Sequence, residues 1–244
     1  MMRTRGTTGR TTGWIALALV LALAPARGQQ SWSWVLPVKT YQNLDFSERA
    51  GIDRARAAFQ RAEDAERRRV PVNDLIPLYR GAAAEWKKFQ LQHEMTASDT
   101  ISAYVLFMQG YSLQGARDRN AAIAAYTELL DYFPDERWIS TAALFFIGEA
   151  HRDNGDDRLA LNTFLALADD PAHARHPLAA RALNRLAMMH WRAKKSDEAL
   201  EFWRQGIAEP YKTIALSDYN AMRDACGQAL TLLDRWDAYE TLLF

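Results

Sequence analysis

Small residues recur through the second half of the chain at a nearly constant spacing. Four of them stand 38, 39 and 39 residues apart: Gly110, Gly148, Ala187 and Cys226. A second small residue follows each of these by twelve positions: Ala122, Ala160, Ala199 and Ala238. A large side chain comes four residues later in every copy: Tyr126, Phe164, Trp203 and Leu242. A spacing that is kept through four copies indicates a repeat architecture rather than one compact core.

Each copy has the pattern of two helices. In the first copy, apolar residues recur at intervals of three and four over residues 103–115 and again over residues 120–133, which is the helical period. Gly or Ala at both small positions lets two helix axes cross closely, and the large side chain one turn later fills the space beside them. A single pair cannot bury both of its faces, so pairs must stack. The sequence therefore predicts an all-α fold, an α-solenoid of antiparallel helix pairs.

The same positions resemble the tetratricopeptide repeat (TPR). Seven residues of the first copy match it in phase: Leu106, Gly110, Leu113, Ala122, Tyr126, Leu129 and Pro134. The next two copies match with His151 and His190 in place of the usual Tyr. Units of 38–39 residues exceed the common length of about 34 and resemble repeats of bacterial envelope proteins, such as the TolA-binding coordinator of cell division and the lipoprotein of the outer-membrane β-barrel assembly machine. The resemblance covers residues 100–244, which we interpret as the repeat array, and it implies the fold more strongly than any one task.

Residues 1–28 have the pattern of an export signal. Three Arg residues precede an apolar run at residues 14–24, which is too short to span a bilayer, and small residues suited to cleavage follow it. An N-terminal membrane anchor is the alternative. No Cys lies near the cleavage site, so we expect an exported protein of the periplasm or cell envelope, with neither a lipid anchor nor an integral membrane segment in the mature chain.

Residues 29–45 are predicted to be an extended arm. Trp32, Trp34 and Leu36 alternate, and Pro37 disfavours a helix before it. The arm either packs on its own chain or docks a partner.

Residues 46–99 are predicted to be a degenerate first helix pair. Ala82, Trp86 and Phe89 have the spacing of Ala122, Tyr126 and Leu129 in the regular array, whereas the first helix of this pair has drifted from the repeat pattern.

Charge and cysteine content limit the kind of partner. Without residues 1–28 the chain has 26 Lys and Arg against 30 Asp and Glu, and a mildly acidic surface disfavours nucleic acid and anionic membranes. The one Cys, Cys226, permits no internal disulfide, and its place among the small residues favours a packed side chain over a reactive thiol.

The sequence has no glycine-rich phosphate loop and no zinc-protease motif. The densest group of metal-ligating residues is Asp169, Asp170, His173 and His176, in the linker between the second and third copies. A metal-dependent enzyme built on this group is a remote alternative, because a polar linker bounded by prolines is typical of a solvated loop. We expect no catalytic residues, no metal and no cofactor.

In the TPR family, the first helix of each pair lines a groove. Transferred by phase, the resemblance implies a groove lined by Tyr104, Phe107, Tyr111, Phe145, Glu149, Arg152, Asn184, Met188, Trp191, Arg192 and Arg223. Aromatic rings at the centre and Arg at the far end suit an extended or helical peptide. Alternatively, some of these rings pack between adjacent repeats.

These observations predict an exported TPR-type scaffold that binds a protein or peptide in the bacterial cell envelope. The second hypothesis is a permanent structural subunit, held by the Trp-containing arm and by the apolar C-terminal end at Leu242, Leu243 and Phe244.

Overall fold

A computed structural model of the 244-residue chain describes residues 38–235. Within that range the regular structure is helical and contains no strand. The helices are α1 (Val38–Gln42), α2 (Phe46–Arg67), α3 (Val72–His93), α4 (Asp99–Gly115), α5 (Arg119–Tyr132), α6 (Arg137–Asn154), α7 (Asp157–Asp169), α8 (Pro177–Arg192), α9 (Ser196–Gly206), α10 (Tyr211–Ile214) and α11 (Leu216–Leu232). The predicted all-α fold is confirmed.

The helices pack in consecutive pairs, α2 with α3, α4 with α5, α6 with α7 and α8 with α9. Each second helix also packs on the first helix of the next pair. In addition, α4 contacts α6, α6 contacts α8, and α8 contacts α11, so the first helices approach one another along the array. They form its inner layer, and the second helices form the outer layer.

The first helix of the first pair, α2, begins with a capping motif that the spacing of apolar residues did not predict. Asp45 accepts a hydrogen bond from the Glu48 backbone N–H at 2.7 Å, and the Glu48 side chain accepts one from the Asp45 N–H at 3.2 Å, which is a capping box at the start of α2. Ala82, Trp86 and Phe89 of α3 are all buried, as their repeat phase predicts.

The described part of the predicted arm, residues 38–45, begins with a helix. Residues 38–42 form α1, so the expectation of an extended segment is wrong there, because proline is compatible with the start of a helix and Pro37 ends only what precedes it. The Tyr41 hydroxyl donates a hydrogen bond to Asp53 Oδ1 at 2.5 Å, which holds α1 against α2. Residues 1–37, with the predicted export signal and the Trp side chains, lie outside the described residues, as do residues 236–244 with Ala238.

The small residues of the repeat lie where helices of one pair meet. The described packing positions are all buried: Gly110, Ala122, Tyr126, Gly148, Ala160, Phe164, Ala187, Ala199, Trp203 and Cys226. A Cβ atom added to Gly148 would lie 2.5 Å from a ring carbon of Phe164, and one added to Gly110 would lie 2.6 Å from a ring carbon of Tyr126. The closest approach of the two helices therefore requires glycine in these two copies.

Gly148→Ala is expected to lower the free energy of unfolding by about 1–3 kcal/mol, because the new methyl group forces the Phe164 ring out of its packed position. Urea denaturation measures the change. Gly81→Ala is the matched control: a Cβ atom at Gly81 meets no heavy atom within 4 Å, so the same substitution there should stabilise α3 by about 0.5–1 kcal/mol. Equal stability of wild type and Gly148→Ala would contradict the steric argument.

The turn inside each pair contains a residue in the left-handed region. In the first, second and fourth pairs this residue is a cation: Arg69 (φ 59°), Arg117 (φ 61°) and Lys194 (φ 61°). In the third pair it is Gly155 (φ 83°). The left-handed residue ends the first helix of the pair and turns the chain toward the second. A side chain with a Cβ atom is less favourable there than glycine.

Lys194→Gly is therefore expected to raise the free energy of unfolding by about 0.5–1 kcal/mol. Lys195→Gly removes the same charge at a residue with φ of −95° and should give no such gain. Thermal unfolding of both variants separates a backbone effect from a charge effect, and an equal gain in both would show that charge is responsible.

Candidate functional site

The predicted groove residues all lie on first helices, but their exposure differs. Tyr104, Phe107, Phe145 and Glu149 are buried. The half-buried members are Tyr111, Arg152, Asn184, Met188 and Trp191, and the exposed members are Arg192 and Arg223.

Phe107 packs between repeats, which is the alternative that the sequence left open, whereas Phe145 contacts a ring of its own pair. Phe107 is fully buried, with its ring centroid 5.7 Å from that of Phe146 and 5.8 Å from that of Tyr126. The centroid of Phe145 lies 5.7 Å from that of Phe164. A first helix inside the array is covered by two second helices and by the neighbouring first helices, so only a narrow stripe of it faces the groove.

On the inner side of the first pair, Arg56 of α2 lies between two tyrosine side chains. Arg56 Nε donates a hydrogen bond to the Tyr104 hydroxyl at 3.2 Å, and its guanidinium carbon lies 4.8 Å from the centroid of the Tyr41 ring. Burial raises the pKa of Tyr104, so its hydroxyl stays protonated. The Tyr41 ring of α1 packs against this end of the inner layer.

Ion pairs join the first helices along the middle and far end of the inner layer. Arg185 of α8 donates from Nε and Nη2 to the two carboxylate oxygens of Glu149 on α6, at 2.8 and 3.1 Å. Arg152 donates to the same carboxylate at 3.1 and 3.3 Å. Arg181 of α8 makes a second bidentate pair with Asp218 of α11, with both distances 3.1 Å. Bidentate pairs of this kind fix orientation as well as distance, so they set how adjacent repeats meet.

The ionisation of Glu149 follows from these contacts. Burial alone would raise the pKa of its carboxyl group, but the Arg185 and Arg152 guanidiniums outweigh burial and hold the pKa below its ordinary value. Glu149 is therefore charged at neutral pH, and its part in the array is to join repeats rather than to contact a ligand.

Side chains that remain open on the inner layer gather on α8. Met188 and Trp191 are half-buried and Arg192 is exposed. The Trp191 ring centroid lies 5.8 Å from that of Trp203, whose Nε1 donates a hydrogen bond to Asn184 Oδ1 at 3.1 Å. The result is a supported apolar strip with a cation at its end, which can contact an apolar side chain and a carboxylate or backbone carbonyl of the same ligand.

Comparison with known proteins agrees with this geometry. The tetratricopeptide repeat family model matches residues 104–136. Among solved structures, one contains nearly identical TPR-like repeats of a kinesin light chain from Podosopora anserina. It is 16% identical to this chain, with a TM-score of 0.51 over 78% of this chain and 92% of that one. The fold is a TPR-like solenoid. A substituted form of the same Podosopora anserina protein gives 15% identity, a TM-score of 0.50, and coverage of 78% and 91%.

The structure titled MamA gives 15% identity and a TM-score of 0.48, over 74% of this chain and 89% of that one. No curated protein matches the chain. At these identities the likeness to solved structures concerns the fold, and a TPR-like solenoid is typically a non-catalytic scaffold for protein–protein interaction.

The linker before α8 of the TPR-like solenoid is exposed at Asp169 and Asp170, as a solvated loop would be, but not at its end. His176 is buried, its Nδ1 accepts a hydrogen bond from the Leu178 N–H at 3.1 Å, and its ring centroid lies 4.2 Å from that of Trp138. Burial, with a smaller contribution from the charge of His173, lowers the pKa of His176 to about 3. Residues 38–235 contain no group of three or more His, Cys, Asp or Glu side chains placed to hold a metal ion.

Cys226 is buried on α11, and burial raises the pKa of its thiol, as expected for a packed side chain. None of the helices among the described residues is long and apolar enough to cross a membrane.

Sequence reasoning missed three members of the inner layer: Arg181, Arg185 and Asp218. A signal for them was present, because Glu149 and Arg185 stand 36 residues apart and Arg181 and Asp218 stand 37 apart. Opposite charges separated by about one repeat on first helices indicate an ion pair between repeats.

Proposed function

We propose that this chain is an exported scaffold of the bacterial cell envelope that binds a protein or peptide segment on the inner layer of its TPR-like solenoid. In this role the chain contributes a shaped surface and no catalytic residue.

The open strip on α8 carries the proposal. Met188 and Trp191 offer apolar area that is only half covered by the chain itself, and Arg192 adds an exposed cation one residue beyond Trp191. Aromatic and Arg side chains contribute much of the binding free energy at protein interfaces. Neighbouring ion pairs hold α8 against α6 and α11, so the strip is pre-organised and loses little entropy when a ligand binds.

A photo-crosslinking residue at Met188 or Arg192 tests the proposal in intact cells. Thr127 of α5 and Ala166 of α7 are matched control positions, because both are exposed on second helices in the outer layer. We expect a specific protein to be captured from Met188 and Arg192 and not from the controls. Capture from all four positions alike, or from none of them, would refute an inner-layer binding site.

Export is a separate part of the proposal, supported by the Arg-rich start, the apolar run and the small residues within residues 1–28. The mass of the protein purified from cells tests it. A chain that begins near Gln29 and is recovered from the periplasmic fraction supports export, whereas an intact N-terminus would favour the membrane-anchor alternative.

The structural-subunit hypothesis has one observation in its favour. Leu216, Leu232 and Leu233, at the two ends of α11, are 56%, 66% and 37% exposed. A permanent subunit should form oligomers or aggregate when purified alone, whereas an adaptor should be monomeric, and light scattering distinguishes them.

A further inference from the structure

A pocket lies on the outer layer of the first two pairs, away from the proposed binding strip. Its floor is α4, and its walls are α3 and α5, two second helices that lie on either side of it. The pocket has a volume of about 350 Å³ and is lined by Phe89, Gln90, His93, Glu94, Ala97, Ser102, Val105, Leu106, Glu128, Tyr132 and Phe133.

The base of the pocket is apolar, its walls also carry polar side chains, and its rim has an exposed ring. Phe89, Val105 and Leu106 are buried in the core below it, whereas the Tyr132 side chain at its edge is 73% exposed. One wall is joined to the other by a hydrogen bond from Gln90 Nε2 to Glu128 Oε1 at 2.8 Å. This bond links α3 and α5 across the pocket.

Within residues 38–235, two carboxylates and no Lys or Arg side chain line the pocket. These carboxylates belong to Glu94, which follows α3, and to Glu128 of α5. Among the described residues no Lys or Arg forms an ion pair with either carboxylate. The Lys87 ammonium lies next to one wall, where its Nζ donates a hydrogen bond to Gln90 Oε1 at 2.8 Å.

We propose that this pocket is a second protein-binding site, which takes a cationic peptide segment with one bulky apolar side chain. The apolar side chain enters between α3 and α5 beside Tyr132, and flanking Lys or Arg residues pair with Glu94 and Glu128. The negative charge of the two carboxylates disfavours acidic segments, since like charges brought together at an interface are unfavourable.

The proposal does not depend on the inner-layer site. Together the two sites would let one chain hold two partners at once, one on each layer of the solenoid.

Fluorescence anisotropy of labelled probe peptides tests the site on the full chain. The first probe has a central Phe-Leu flanked by Lys and Arg, the second has the same centre flanked by Glu, and the third keeps the Lys and Arg around a central Ala-Ala. We expect measurable binding of the first probe alone, and we expect its affinity to fall when salt is raised from about 0.05 M to about 0.5 M, because the ion pairs are exposed.

Two variants and one control locate the site. Glu94→Lys combined with Glu128→Lys should weaken the first probe by about tenfold, because two attractive contacts become repulsive. Tyr132→Ala changes an exposed ring, leaves folding intact, and should weaken the same probe several-fold. Glu201→Lys is the matched control: Glu201 is exposed on a second helix and accepts a hydrogen bond from a Gln, as Glu128 does, but lies in the fourth pair.

Retained binding by Glu201→Lys with loss in both pocket variants supports the proposal. Equal binding of the basic and acidic probes, equal loss in the control, or no binding of the first probe to the wild-type chain would overturn it. A normal thermal melt of each variant shows that any loss concerns binding and not folding.

Discussion

Phe107→Ala is expected to lower the free energy of unfolding by about 3–5 kcal/mol. The Phe107 side chain is fully buried, and its ring is tilted 62° to that of Phe146 and 43° to that of Tyr126. It therefore joins the second and third pairs of the solenoid, and its removal leaves a cavity that helices held by several neighbours cannot close. Urea denaturation followed by circular dichroism measures the loss.

Met188→Ala is the control variant for Phe107→Ala. Met188 also lies on a first helix but is only half-buried, so its truncation should cost less than about 2 kcal/mol while it weakens capture of the inner-layer partner. If Phe107→Ala proves as stable as wild type and loses only binding, then Phe107 is a ligand contact, and the packing described for the inner layer is wrong.

The fold could be predicted from the sequence because its determinant is local and repeated. Where the two helices of a pair cross, a small residue on the first helix faces a large ring on the second. Gly110 with Tyr126 has this arrangement, and Gly148 with Phe164 repeats it 38 residues later. The constraint recurs at every repeat, so it leaves a period that composition alone would not reveal.

The binding surface could not be predicted to the same depth, because exposure depends on neighbours from other repeats. Phe107 and Tyr111 lie one helical turn apart, and Phe146 of the next pair packs against both rings. Even so, Phe107 is buried and Tyr111 is partly open. Repeat phase identifies the inner helix but does not fix which of two adjacent positions the next repeat covers. The helix at residues 38–42, whose Tyr41 packs on Arg56, was likewise outside what the repeat pattern could indicate.

Glu149→Ala is expected to lower the free energy of unfolding by about 3 kcal/mol, near the lower end of what the loss of one partner of a buried ion pair costs. The carboxylate accepts four hydrogen bonds from Arg152 and Arg185, and the Arg185 side chain is only 17% exposed. Without Glu149 the Arg185 guanidinium would remain largely buried between α6 and α8 without its hydrogen-bonded carboxylate, and only the more distant charges of Asp218 and Asp153 would act on it. Arg185→Ala combined with Glu149→Ala should therefore cost less than the sum of the two single substitutions. Arg192→Ala, at an exposed position on the same helix, should change stability by less than about 0.5 kcal/mol.

The same carboxylate gives the solenoid a defined pH dependence. Because the pKa of Glu149 is lower in the folded chain than its ordinary value of about 4.3, its ionised form contributes stability above that value. The contribution is lost as the pH falls through the lowered pKa, where the carboxyl group takes up a proton and the contacts to Arg185 and Arg152 weaken. Other carboxylates titrate in the same range, so the informative quantity is the difference in unfolding free energy between wild type and Glu149→Gln. This difference should be largest near pH 7 and shrink steadily below about pH 4. A difference that stays constant through this range would mean that the carboxylate is not ionised between the repeats, and that packing alone holds α6 against α8.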